Sequence, residues 1–226
     1  NKEVINLSKI IFEPLINLTP DYRTELCLAK SVTKKSDTNY EIKIDTNIKW
    51  QDGSNLIARD VEFTINKLKE RNSVYSANVV QISNVDIPDA ETINITLKEP
   101  VANFEYNLTF PIMSSQYYLD KTFDANIVPI GTGMYKVSEV QSSAIILTQN
   151  ENWWNDEKTP ILTKITVNLY SSMGELYNSF KSGNLDIIAT QNSSVQDYIG
   201  TIGYASKEKK GREHDFLAFN TQNYFL

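Results

Sequence analysis

Tyr40 to Asn72 reads YEIKIDTNIKWQDGSNLIARDVEFTINKLKERN, and two periodicities meet inside it. Tyr40, Ile42 and Ile44 alternate with Glu41, Lys43 and Asp45, which is the period of a strand with one wet face. Trp50 to Gly53 closes that strand with a turn. From Ala58 the apolar step lengthens to Val61, Ile65 and Leu68, with Phe63 on the flank, so an amphipathic helix is expected to about Asn72.

Upstream, Leu7, Ile10, Ile11 and Phe12 run as the end of a helix into a bend at Glu13-Pro14-Leu15, because proline disfavours helix in the residue before it. Downstream, Val85–Ile87 and Thr92–Leu97 flank the turn Pro88-Asp89-Ala90 and predict a hairpin. A short helix is expected over Val101–Leu108, and mixed loop and helix between Pro111 and Asn126. Ile130-Gly131-Thr132-Gly133 interrupts the pattern with two glycines two residues apart, which permit a tight crossing that a side chain would block. Tyr135–Val140 and Ala144–Thr148 form a second predicted hairpin, followed by a strand at Ile161–Tyr170. Ser171 or Ser172 can cap a helix carrying Met173, Leu176, Tyr177 and Phe180, with Gly183 as its left-handed stop. Further strands are expected at Leu185–Ala189 and Phe216–Phe219, with a helix near Ser194–Tyr198 between them. Strands and helices mix without strict alternation, so the expected class is α/β in the mixed α+β sense.

The bulk composition narrows the function. At 226 residues and 41% hydrophobic, the chain can bury a sizeable core. A formal net charge of −6 offers neither a basic stripe for nucleic acid nor a cationic face for anionic lipid. The single cysteine, Cys27, excludes an intramolecular disulfide and reads as a small buried hydrophobe. No apolar run approaches the ~20 residues needed to cross a bilayer, and the first residues lack the build of a signal peptide.

Catalytic patterns are thin. His214 is the one histidine, so no His-His or His-Cys pair can hold zinc or nickel, and its place beside Asp215 fits a solvated strand end. Gly131-Thr132-Gly133 is too short for a dinucleotide fingerprint. Asp52, Asp60 and Glu62 cluster as an acid-base pair or calcium site would, but Asp60 and Glu62 fall in the first turn of the predicted helix, where negative charge favours the macrodipole. Trp153-Trp154 can stack on a ligand, although paired aromatics between strands more often form core plus lid. Lys207–Lys210 reads as a solvated charged face. No catalytic residue, metal ligand set or cofactor is expected, and binding is the default role.

Five segments in order carry a resemblance: Ile11–Ile16 (FEPL after isoleucine), Leu28–Ser31, Tyr40–Gly53 leading into Ala58-Arg59-Asp60-Val61, Pro129–Tyr135 (PIGTGMY) with Gln149–Trp154 (QNENWW), and Lys181–Ile187 with Leu217–Thr221 (LAFNT). Together they resemble the family 5 extracellular solute-binding proteins, receptors that serve ABC importers. Departures are Val32 for the family's tryptophan, Met134 for a proline, and Ile57 for a capping Ser or Thr, the last expected to cost about 0.5 to 2 kcal/mol.

That resemblance implies a type II (cluster C) periplasmic-binding-protein-like lobe with a smaller appended α+β domain. Residues 1–18 and 129–226 would form the ligand-facing lobe and 19–128 the appended domain, the second large lobe being absent and the chain an expressed fragment. It implies a non-enzymatic receptor that closes on oligopeptides or dipeptides between two lobes and delivers them to ABC permease transmembrane subunits. Residues implied to face the ligand are Ile5, Glu13, Pro14, Leu15, Tyr75, Ala218 and Asn220. Such receptors work outside the cell membrane or in the periplasm, touching membrane only through a lipid anchor outside this sequence. Alternatives are a nickel-chelate receptor, whose branch places an arginine where Phe110 stands here, and a peptide sensor uncoupled from transport. An enzyme built on His214 is a third reading.

Overall fold

In the computed structural model, residues 2–122, 127–189 and 203–207 are described. The chain forms two compact units, 1–169 and 170–226.

The first unit opens with helix α1 (Lys2–Ile11), then short strands β1 (Ile16–Leu18) and β2 (Thr24–Leu26), which pair with each other, then β3 (Ala29–Lys34) and β4 (Asn39–Ile44). Helix α2 (Ala58–Glu70) and one-turn α3 (Ser76–Val79) precede β5 (Ile82–Asp86) and β6 (Thr92–Leu97). Strands β3 to β6 form an antiparallel sheet in the order β3-β4-β6-β5. A 3-10 turn at Phe104–Leu108 and the short α4 (Ser115–Tyr118) follow. Strands β7 (Tyr135–Val140), β8 (Ala144–Gln149) and β9 (Lys164–Asn168) make a second antiparallel sheet in chain order.

The strand alternation of Tyr40–Ile44 is borne out: Tyr40, Ile42 and Ile44 are buried in β4, and Ile42 meets Ile93 across the sheet. Val61 and Ile65 of α2 are fully buried against the same core as Trp50, Leu56 and Phe104. A second cluster gathers Ile11, Tyr135, Val137 and Leu147, with Leu7, Ile10, Phe12 and Ile165 against it. The unit therefore has two cores, one under the four-stranded sheet and one between α1 and the β7-β8-β9 sheet. No helix among the described residues is long and apolar enough to cross a membrane.

The second unit is described through α5 (Met173–Lys181), whose N-cap Ser172 accepts from Glu175 N at 3.2 Å and whose end is followed by Gly183 at φ 77°. Tyr170 and Ser179 share a hydroxyl hydrogen bond of 2.7 Å, and the Phe180 and Tyr204 rings lie 5.3 Å apart. The strand expected at Leu185–Ala189 does not form: among the described residues nothing pairs with it, and Ile187 is 82% exposed. The elements expected near Ser194–Tyr198 and Phe216–Phe219, together with His214, lie outside the described residues.

Candidate functional site

The bend after α1 has no regular partner strand of its own, so its carbonyls are satisfied from two sides. Glu13 O accepts from Ile112 N at 3.0 Å, Pro14 O from Leu28 N at 3.2 Å, and Leu15 O from Cys27 N at 3.0 Å. Pro14 also bridges Pro111. Three residues are thereby fixed to two distant stretches of chain, and the direction in which the polypeptide leaves α1 is set.

The glycine crossing lies against the same place. A Cβ on Gly131 would collide with the carbonyl of Ile11, and one on Gly133 would come within 2.6 Å of Ile10 O. Gly133 N instead donates to Ile11 O at 2.9 Å. The expectation that the two glycines serve a tight crossing is met, and the neighbour they admit is the C-terminal turn of α1.

Gln51, in the turn that closes the first strand reading, reaches this crossing from the four-stranded side. Its backbone N donates to Gly131 O at 3.0 Å, its Oε1 accepts from Gly131 N at 3.0 Å, and its Nε2 donates to Tyr135 O at 2.8 Å. One amide side chain thus spans the two cores. This role is not legible in the sequence, since pattern carries no information about a partner some 80 residues away.

Glu13 is only 8% exposed, and both of its oxygens are taken. Trp153 Nε1 donates to Oε1 at 3.0 Å and Trp154 Nε1 to Oε2 at 2.7 Å. Burial pushes the Glu13 carboxyl above its ordinary value, and the indole N–H groups, with the nearby Thr132 hydroxyl, partly oppose that rise by favouring the charged form. Thr132 Oγ1 is itself buried and makes no hydrogen bond of good geometry, so its help to the carboxylate is at most electrostatic. The tryptophans stand edge to face, 6.2 Å between centroids. Asn150 holds their loop, donating through Nδ2 to Gly133 O at 3.0 Å.

Among the residues expected to face a ligand, Leu15 is fully buried and Glu13 spends its carboxylate on the indoles, whereas Pro14 is half-buried. Tyr75 caps the start of α3 and packs against the cluster that contains Leu15. Ile5 lies in α1, and Ala218 and Asn220 lie outside the described residues. Trp153 is buried and Trp154 is half-buried against the larger core, and what spacing does not reveal is their acid partner. Two signals were present in the sequence: an acid among apolar neighbours needs donors, and two adjacent indoles need acceptors.

Two other residues are settled by burial. Cys27 is buried and unpaired, and burial pushes its thiol well above the ordinary range, away from thiolate chemistry. Phe110 is fully buried in the larger core, so that position offers no cation to a ligand.

Comparison with known proteins bears on what this arrangement serves. The model of the bacterial extracellular solute-binding proteins, family 5 Middle, matches residues 24–226. A nickel-binding protein, NikA, of Staphylococcus aureus is 26% identical over 93% of this chain and 42% of its own length. The periplasmic oligopeptide-binding protein OppA of Salmonella typhimurium is 27% identical over 80% of this chain and 38% of its own. In structure, NikZ of Campylobacter jejuni in complex with Ni(L-His) superposes with a TM-score of 0.74 and 24% identity, over 86% of this chain and 40% of that one. The fold is that of one part of a type II periplasmic binding protein, and the chain spans less than half the length of these relatives.

Proposed function

Because the chain belongs to the family 5 bacterial extracellular solute-binding proteins, we propose that it is part of the substrate-binding component of an ABC importer and that its solute is a peptide. The receptor performs no catalysis. It works on the outer face of the membrane or in the periplasm, where it closes on its solute and presents it to permease subunits. We place residues 1–18 and 129–226 in the ligand-facing lobe and 19–128 in the appended domain; the separate cluster of α1 with β7, β8 and β9 favours this, whereas Leu15 and Ile16 belong to the larger core and the compact units part at 169/170. The opposing wall of the cleft comes from chain beyond these residues, as the greater length of the relatives suggests.

The observation that carries this reading is the rigid bend: Pro14 bridged to Pro111, Glu13 clamped by two indoles, and α1 seated on the glycine crossing. A receptor that traps solute by lobe closure gains affinity when each wall is preorganised, since less ordering is left to accomplish on binding. Pro14 and Tyr75 contribute surface to that wall, while Glu13 and Leu15 hold it in shape. Ile5, Ala218 and Asn220 are the other residues proposed from the family resemblance to face the solute. Main-chain hydrogen bonding to an extended peptide would give affinity with little dependence on sequence.

A nickel chelate is the second reading, favoured by the match to nickel-binding relatives. Against it stands Phe110, buried where that branch would offer an arginine to the chelator's carboxylates. Isothermal titration of the two-lobed, metal-free receptor with di- to hexapeptides, then with nickel and histidine, separates the readings. Heat with peptides alone supports the proposal, and heat with the nickel complex alone transfers it to metal uptake. The 226 residues by themselves are expected to bind peptide weakly, because one wall supplies about half the contacts and leaves water in place. Micromolar binding by this chain alone would contradict that.

A further inference from the structure

Helix α2 ends at Glu70, with Arg71 as its C-cap, and beside that end an open groove of about 580 Å³ is lined by Lys69, Arg71, Lys98 and Ser83, among others. Glu70 also lines it, but its Oε2 is engaged by Lys67 Nζ at 2.9 Å. The next acid along the chain from Lys98 is Glu99, whose Oε1 accepts from Gln81 Nε2 at 2.9 Å. Three cations therefore share a groove with one carboxylate already in use, on a chain whose formal net charge is −6.

The end of a helix explains Lys69 and Arg71, since cations are favoured at its negative pole. It does not explain Lys98, which follows β6. Lys98 Nζ donates to Val80 O at 2.7 Å, which fixes the ammonium and uses one of its three donors. The Lys69 ammonium gives up its proton more easily than an ordinary lysine, first because it is partly buried and then because Lys98 is near. Lys69 and Lys98 are both exposed, so water screens much of their repulsion, and a bound anion relieves what remains of it.

We propose that this groove binds a phosphate group through Lys69 and Lys98, with Arg71 adding charge. Phosphate suits it better than a carboxylate, because a dianion brings more charge and more acceptors to cations that approach from a helix end and a strand end. Free phosphate and the headgroup of an anionic phospholipid share this chemistry.

The test is calorimetry of the chain with inorganic phosphate at low salt, with co-sedimentation on phosphatidylglycerol and on phosphatidylcholine vesicles. Phosphate binding is expected, weakened about tenfold in Lys69→Gln and in Lys98→Gln. It should be unchanged in Lys35→Gln, whose ammonium pairs with Glu41 on the surface. Lysine-dependent retention on phosphatidylglycerol alone identifies the headgroup as the source, and phosphate binding without retention identifies the free ion. Ser83→Glu supplies a carboxylate within the groove and is expected to raise the melting temperature while abolishing phosphate binding. The proposal is overturned if neither phosphate nor vesicles bind, if binding ignores both lysine substitutions, or if Ser83→Glu changes neither melting nor binding.

Discussion

Asp60 and Glu13 are both buried carboxylates with every oxygen engaged, yet they hold different things. Asp60, 1% exposed, collects donors from within one core: Trp50 Nε1 at 3.1 Å, Ile57 N at 2.9 Å, and both the backbone N and the hydroxyl of Ser115 at 2.7 Å. Glu13 takes two indoles some 140 residues away and ties the bend to the connection between β8 and β9. The first node closes a domain on itself. The second joins parts, and a carboxylate with only two neutral N–H donors in a dry site is less well compensated than one with four.

The largest effect should come from Asp60→Ala. Four donors lose their acceptor together, and three of them belong to buried groups, so a loss of about 3–5 kcal/mol in urea unfolding is expected. A loss under 1 kcal/mol would show that water replaces the carboxylate and that the two nodes do not differ as argued. The same carboxylate explains why Ile57, which has no polar atom to cap α2, is tolerated: Asp60 accepts from the N-cap backbone itself.

Next in size is Gly131→Ala, which drives a methyl into the Ile11 carbonyl and so strikes the joint without touching Asp60. Overpacking of this kind costs about 1–3 kcal/mol. Quenching of the Trp153 and Trp154 fluorescence by acrylamide should rise with it, because the loop and α1 lose their common seat. Stability lost with no change in quenching would mean the tryptophans are held by Glu13 alone.

Gln51→Ala is expected to cost about 1–2 kcal/mol, as a part-buried side chain making hydrogen bonds to Gly131 and Tyr135 is removed. It sharpens the comparison if combined with Asp60→Ala and with Glu13→Gln in double-mutant cycles. Coupling to Glu13 and none to Asp60 is expected, since Gln51 and Glu13 act on the same crossing. The reverse pattern would place Gln51 in the Asp60 node.

These nodes mark where sequence reading stops. The β4 alternation, the α2 stripe, the two hairpins, the Ser172 cap and the Gly183 stop are local, and periodicity or single-residue chemistry reveals each. Strands β1 and β2 are three residues each, too short to show a period, and β3 (AKSVTK) has little apolar alternation to show. Ile187 sits in an apolar run that reads as strand, but a strand needs a neighbour to bond with, and that condition is not written in the run itself. Asp60 was legible as a helix-start acid but not as a hub, because Ser115 is 55 residues away. The bend was visible through Pro14 and the crossing through its glycines, whereas the clamp between Glu13 and the tryptophans depends on which distant segments the fold brings together.

The smallest expected effect is a dependence of stability on pH that arises at Glu13. Glu13 has a folded-state pKa raised above its ordinary value, with burial as the main cause. A carboxyl shifted in this direction binds its proton more tightly in the folded protein than in the unfolded chain. Between the ordinary carboxylate pKa and the raised folded one, the folded state therefore holds more protons, and stability falls as pH rises through that window. Glu13→Gln cannot titrate, so its disadvantage against the natural protein should be greatest in acid and should shrink as pH rises past the folded pKa of Glu13. Thermal melts of the two proteins from pH 4 to 8 measure the gap at each pH. A gap independent of pH would mean that the two indoles compensate the Glu13 carboxylate fully for its burial.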